Sequence, residues 1–275
     1  MACVRWEAAV GGGIPCIKSL KEGLAANNIT YAAGIMNGTC NFILTTMKET
    51  GRAFDDVLAE AQAKGYAETP PDLDVDGIDT AHKLALVSAV SNGCLPDFDA
   101  VYCEGIRGDR GNPIDDFDVA TADKLGFSIK LLGITSQVDG KVLQRVHPAM
   151  IPNYTGLGAT HGVLNGLFTI GDFVGPTFIQ GAGAGREATA SACVADIIDI
   201  ARNNTPPVFG VPVAQLSSPN TADMSARVGA YYLRFKTADS GAVEATLSGA
   251  GVQTESVRSI RMPFPRRPPH ILRVL

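Results

Sequence analysis

Apolar positions along the chain alternate between helical and strand periods, with glycine or proline marking most changes. After Pro15, Ile17, Leu20 and Leu24 recur three and four residues apart, which predicts a helix opened by the proline. Residues 2–10 before it read as a short strand running into Gly11-Gly12-Gly13, where the backbone can approach a neighbour closely. The run 29–35 (ITYAAGI) predicts a strand ending at the turn dipeptide Asn37-Gly38. Helices follow over 41–50, closed by Gly51, and over 54–64, with Asp55 and Asp56 in the first turn and Gly65 past the end. An acid-rich loop leads to a long helix from Asp76 to Asn92, and 94–126 reads as loop and short helix. Strands 128–136 and 141–147 flank Asp139-Gly140, and a second hairpin around Gly171-Asp172 joins 162–170 to 173–180. The sequence GAGAG (181–185) then enters a helix over 187–203. Hairpins outnumber βαβ units, so the pattern predicts an α+β fold: a largely antiparallel mixed sheet with helices packed on one face.

Composition sharpens this picture. Of 275 residues, 45% are hydrophobic and 19% charged, enough apolar material for one large core or two smaller ones and too much for a disordered chain. No run approaches the ~18 apolar residues of a membrane helix. The opening MACVRWE lacks the order of a signal peptide, so a soluble, cytoplasmic chain is expected. The net charge of −5 is uneven: residues 256–275 hold five Arg, four Pro and no acid, leaving −10 on residues 1–255. The acidic body argues against nucleic acid as a partner. Six cysteines show no Cys-x2-Cys spacing and four histidines no HExxH, so free thiols are expected rather than a Cys/His metal site.

Chemistry concentrates in GYAETPPDLDVDGIDTAHK, residues 65–83. Glu68, Asp72, Asp74, Asp76 and Asp79 fall within twelve residues, and Lys83 follows. Asp79 and Lys83 are four apart and stack on one helix face, a pair that at an ordinary surface contributes a few tenths of a kcal/mol. The same stripe continues into Leu86, Val87 and Val90, which puts the two charges where a surface stripe meets the core.

Five blocks, EAAVGGGIP (7–15), GIMNGTCNFILTTM (34–47), GYAETPPDLDVDGIDTAHKLA (65–85), RVHPAMIP (145–152) and GAGAGREATASACVADIIDIAR (181–202), together resemble the homoserine dehydrogenases. They stand in the family's order and span roughly residues 5–203. The resemblance implies an NAD(P)-dependent, cytoplasmic homodimer that interconverts L-homoserine and L-aspartate 4-semialdehyde in threonine, isoleucine and methionine biosynthesis. Lys83 matches the family's acid/base lysine. Asp79 and Glu68 match substrate-holding carboxylates, and Asp74 a further acid. Gly65 and Gly185 match positions the cofactor approaches. Glu7, Val10, Gly12 and Ile14 match a segment that coordinates a sodium ion. These roles suit the chemistry, because aldehyde reduction builds charge on oxygen that a cationic proton donor relieves, and an amine substrate needs carboxylates.

The chain also departs from the family. A nucleotide-binding Rossmann domain precedes the first block in complete members, whereas here that block begins at residue 7. GAGAG is not its substitute, because Arg stands at 186 and no second βα unit follows. The sequence therefore implies the substrate and dimer-forming part, binding NADP or NAD poorly and turning over weakly alone. The alternative is a non-catalytic dimerising or ligand-binding module derived from the enzyme. Residues 228–255 resemble the opening of an ACT regulatory domain. The expected organisation is a catalytic domain over 1–205, a linker over 206–227, the partial ACT-like segment, and a disordered basic tail over 256–275, attributed to an altered reading frame or an improvised terminus.

Overall fold

The strand-forming runs at 29–35 and 127–182 assemble into one sheet. In the computed structural model, which describes residues 3–107, 114–236, 239–253, 256–260 and 270–274, β1 (Ile29–Ile35) lies between β3 (Phe127–Val138) and β5 (Leu164–Gly171), antiparallel to both. Strand β4 (Lys141–Pro152) pairs with β3 and β6 (Gly175–Ala182) with β5, both antiparallel, while the short β2 (Val101–Cys103) runs parallel beside β4. The order is β2-β4-β3-β1-β5-β6. Asp139 (φ 49°) and Gly140 (φ 73°) make the β3–β4 turn, a backbone twist that suits a tight hairpin.

Helices α2 (Gly38–Thr50), α5 (Ile78–Asn92) and α6 (Asp116–Lys124) pack on the sheet, and α3 (Phe54–Ala63) packs on α2. Side chains alternate across each strand, so Ile129 and Leu131 join Ile43, Met47, Leu84 and Val87 in the main core. Leu132 and Ile134 instead join Ala33, Ile35 and Leu157 in a smaller cluster. Helix α2 begins three residues before its apolar period because Asn37 Oδ1 accepts the Cys40 N–H at 2.8 Å, drawing Gly38 and Thr39 into the first turn.

Of the strand expected over 2–10, the described residues 3–10 form none. Glu7–Ala9 is a 3₁₀ turn, because the buried Glu7 carboxylate accepts the Ile17 N–H at 2.8 Å and the Lys18 N–H at 2.7 Å. That folds the chain back over the start of α1 (Cys16–Lys18), which continues as a π-helical turn over Ser19–Gly23. Glu7 N–H also donates to Asp196 of α7 (Arg186–Ala201) at 2.9 Å. The two glycine-rich blocks press together here: Gly13 N–H donates to Ala182 O at 3.0 Å, and a Cβ on Gly12 would stand 2.2 Å from Gly183 O.

The chain divides into two units, Met1–Ala226 and Arg227–Leu275. Much of the expected linker is tied along the first unit. Val208 O accepts the Trp6 indole N–H at 3.1 Å, Ser217 O accepts Leu95 N–H at 2.9 Å, and Asn220 and Ala222 bond to Val142. The second unit contains β7 (Tyr232–Lys236), α8 (Ser240–Gly249), β8 (Ser256–Ile260) and β9 (His270–Val274), with antiparallel strands in the order β7-β9-β8. The tail is thus not wholly irregular as expected. Its arginines and prolines drew the reading away from Val257, Ile260, Ile271 and Val274, residues that favour strands. The rest of the tail, 261–269 and 275, lies outside the described residues.

Inside the first unit a lysine is buried with no carboxylate partner among the described residues. Lys130 on β3 is 1% exposed, three residues before Gly133, which pairs with Gly34 of β1. Its Nζ donates to Asn41 Oδ1 at 2.9 Å and to Thr160 O. Burial pushes its pKa down to about 8, Lys48 lowers it further, and Glu49 opposes them. The imidazole of His161 also feels this charge.

Two stability measurements follow from this packing. Gly12→Ala is expected to cost about 3 kcal/mol or more in denaturant unfolding, since backbone must move and φ is 55°. Gly140→Ala, with open space around it, should cost only about 1 kcal/mol; equal losses would contradict the close packing at Gly12. For Lys130 the folded pKa lies below its ordinary value of 10.5, so between about 8 and 10.5 the unfolded chain binds more protons. Wild type should therefore gain stability relative to Lys130→Met as pH rises through that window, and a flat difference would oppose the buried-charge reading.

Candidate active site

Helix α5 presents Asp79 and Lys83 one turn apart, near the end of β1. Lys83 Nζ donates to Asp79 Oδ2 at 2.7 Å and to the Met36 carbonyl, just past β1, at 3.1 Å. Both side chains are partly open, Lys83 at 26% and Asp79 at 31% exposure. Asn37 supplies the second link: its Nδ2 donates to Asp79 Oδ2 at 3.0 Å and to Asp74 Oδ1 at 2.7 Å. A single residue therefore caps α2 and bridges two carboxylates.

Asp74 lies on the short helix α4 (Asp72–Val75), whose carbonyl at Asp74 receives the Cys40 thiol at 3.2 Å. Burial and then the nearby Asp74, Asp79 and Asp76 carboxylates push the Cys40 thiol well up, so it stays a protonated donor. Beside the pair opens a cleft of about 390 Å³ lined by Ala9, Asp79, His82, Lys83, Leu86 and Phe98. The His82 ring meets Phe98 edge-on, with centroids 5.4 Å apart.

The structure divides the acidic cluster into three parts. Asp74 and Asp79 come together with Lys83 around Asn37. Asp72 and Asp76 turn to Arg107, at 2.8 Å and 3.3 Å. Glu68 sits exposed on the loop after α3, where only its main-chain carbonyl is bonded, to Gln62 Nε2 at 3.2 Å, among the described residues. Gly65 (φ 72°) ends α3 and Gly185 (φ 110°) precedes α7; both leave open space where a Cβ would stand.

The four residues expected at a sodium ion lie in one turn and the helix start after it. Glu7 spends both carboxylate oxygens on the start of α1, its carbonyl accepts Val10 N–H, and the Ile14 carbonyl accepts Cys16 N–H at 2.8 Å. Val10 and Ile14 are buried, and Gly12 packs on Gly183. These four residues thus build a turn and a helix start. Among the described residues no group of three or more His, Cys, Asp or Glu is placed to hold a metal.

Sequence reasoning missed Asn37 as a site residue, treating it only as a turn signal. The available signal was Asn three residues before a helical amide, the N-cap pattern. Phe98 and His82 carried no such signal, because their approach depends on how 94–100 crosses α5.

Comparison with known proteins gives the family of the chain. The family model for homoserine dehydrogenase matches residues 15–198. The chain is 45% identical over 265 residues to a homoserine dehydrogenase of Pseudomonas aeruginosa, covering 92% of this chain and 60% of that protein. It is 44% identical to one from Neisseria gonorrhoeae, with the same coverage of 92% and 60%. The chain thus spans about three fifths of the length of these curated relatives. A crystal structure of a homoserine dehydrogenase from Thiobacillus denitrificans superposes with a TM-score of 0.86 at 43% identity, over 99% of this chain and 63% of that one. A hyperthermophilic archaeal homoserine dehydrogenase in complex with NADPH aligns with a TM-score of 0.59 at 30% identity, covering 72% of this chain and 55% of that one. The five sequence blocks, the sheet and the family match place this chain in the homoserine dehydrogenase family.

Proposed function

We propose that this chain carries the substrate-binding and proton-transfer part of a homoserine dehydrogenase, interconverting L-homoserine and L-aspartate 4-semialdehyde. The observation that carries the reading is Lys83 Nζ, held 2.7 Å from Asp79 Oδ2 on the wall of an open cleft. An ammonium has three donors. Asp79 and the Met36 carbonyl take two of them, which leaves one for a substrate oxygen.

In the reducing direction, negative charge grows on the aldehyde oxygen as hydride reaches its carbon. Lys83 stabilises that charge and transfers a proton to the oxygen, giving the alcohol and a neutral amine that solvent reprotonates. In the oxidising direction the neutral amine takes the hydroxyl proton. Asp79 fixes where the amine points. Asp74, Asp79 and the exposed Glu68 supply negative charge for the substrate ammonium.

NADP or NAD is the proposed cofactor, supported by the NADPH complex of the archaeal relative. When bound, it supplies or accepts the hydride. Gly65 and Gly185 fit a close approach because neither presents a side chain to the open space beside it. A sodium ion at Glu7, Val10, Gly12 and Ile14 rests on resemblance alone and enters no step. Homodimerisation is proposed on the same resemblance. The strand–helix–strand–strand order of the second unit supports its reading as ACT-like.

In the enzyme bearing this chain, Lys83→Met should lower kcat for semialdehyde-dependent NADPH oxidation by about 10²- to 10⁴-fold, with KM changed little. A rate within a fewfold of wild type would remove Lys83 from the acid/base role. Asp79→Asn keeps the side chain's size and removes its charge. Calorimetry should then show L-homoserine binding weakened roughly tenfold, the scale of one charge-assisted contact; unchanged affinity would move the ammonium site elsewhere.

A further inference from the structure

We infer that Lys130 is a positioning residue for the Asp79–Lys83 pair, acting through the first turn of α2. The inference rests on the acid/base reading of that pair. Lys130 touches neither residue in the geometry described, yet a short relay connects them. Its Nζ donates to Asn41 Oδ1 at 2.9 Å, and the Asn41 N–H donates to Asn37 O at 3.3 Å. Asn37 Nδ2 then donates to Asp79 Oδ2 at 3.0 Å, where Lys83 Nζ also bonds at 2.7 Å.

Asn41 is 1% exposed and fully engaged on this side. Its Nδ2 donates to Thr160 O at 3.2 Å and Leu164 O at 3.1 Å, and Lys130 donates to that same Thr160 carbonyl. The segment before it is pinned too, since Asn165 Nδ2 donates to Ile35 O at 2.8 Å. The stretch from Ile35 to Asn41 is thus gripped from beneath by Lys130, Asn165 and the Thr160 carbonyl, while its upper side holds Lys83 and Asp79.

A buried cation is costly where an apolar side chain would fill the strand. Among the described residues no carboxylate forms an ion pair with Lys130, Lys48 stands close enough to oppose its charge, and Glu49 partly offsets this, while the charge of Lys130 also reaches the His161 imidazole. Lys48 is itself committed to Asp123, Ser128 and Asn153. What Lys130 adds is reach: one amine bonds both the 153–163 loop and α2, a span that methionine could fill but not bond.

The test uses the purified 275-residue chain with ε-¹³C-lysine labelling, the Lys83 signal being assigned by its loss in Lys83→Arg. Lys130→Met should shift the Lys83 ε-carbon resonance and weaken L-homoserine binding about tenfold, the scale of a supporting contact to a site ligand. Leu143→Ala, a core truncation on β4, should leave both readings as in wild type despite lowering Tm. Should Lys130→Met not fold, Asn41→Ser cuts the relay while leaving Lys130 bonded to Thr160, and it should move the Lys83 signal in the same way. An unmoved Lys83 signal, or an equal change in Leu143→Ala, overturns the positioning role. Failure of the wild-type chain to bind L-homoserine counts instead against the functional reading, and the Lys83 signal still decides the relay.

Discussion

The candidate site hangs on the junction between β1 and α2, and within it on the side chain of Asn37. Its oxygen caps a helix and its nitrogen joins two carboxylates from a segment nearly forty residues further on. Each bond alone contributes about 1 kcal/mol, more where a carboxylate accepts. Their joint effect is geometric. The cap fixes the direction of α2, the amide fixes Asp74 and Asp79 relative to that direction, and Asp79 with the Met36 carbonyl fixes Lys83. An amide does this without adding charge. A second cation at this position would compete with Lys83 for Asp79, and a carboxylate would repel both acids.

The cluster of acids gains meaning from what each member faces. In the sequence they form one undivided negative stretch, and a solvated loop explains them as well as a site does. In the fold Asp72 and Asp76 are drawn off by Arg107, which leaves Asp74 and Asp79 on the opposite side of α4 and the start of α5. The sorting follows from helical geometry. Residues 72 and 76 lie one turn apart, while 74 points away from them.

How much of this was legible beforehand depended on whether a local rule governed it. The β3–β4 hairpin was, because Asp-Gly demands a particular turn, and so were the strand at 29–35 and the α5 stripe with its Asp79–Lys83 spacing. The start of the chain was not. Alternation alone cannot show that a glutamate turns inward to cap a helix ten residues later, as Glu7 does. The two C-terminal strands were hidden behind arginine and proline content. Asn37 was visible as a turn former but not as a bridge, since its second and third partners come from sequence far away. Lys130 carried no local signal, because its partners, Asn41 and the Thr160 carbonyl, lie 89 and 30 residues away in sequence.

Glycine content misleads in the same manner, and the structure separates its causes. GAGAG between a strand and a helix invites a phosphate-loop reading, yet the strand before it, β6, pairs antiparallel with β5, so no βαβ crossover exists there. Gly181 and Gly183 are glycine because of their neighbours: a Cβ at 181 would stand 2.6 Å from Ile14, and one at 183 would overlap the Asn165 side chain. Those two contacts and the Gly12–Gly183 approach explain why two glycine-rich blocks far apart in sequence occur together in one fold. Gly185 belongs to neither contact. It faces open space with φ at 110°, at the head of a helix of sixteen residues, and a side chain there would meet strain rather than a neighbour. Packing therefore accounts for the first part of the motif, and the demand for glycine at its end is left to backbone conformation or to a ligand that comes close.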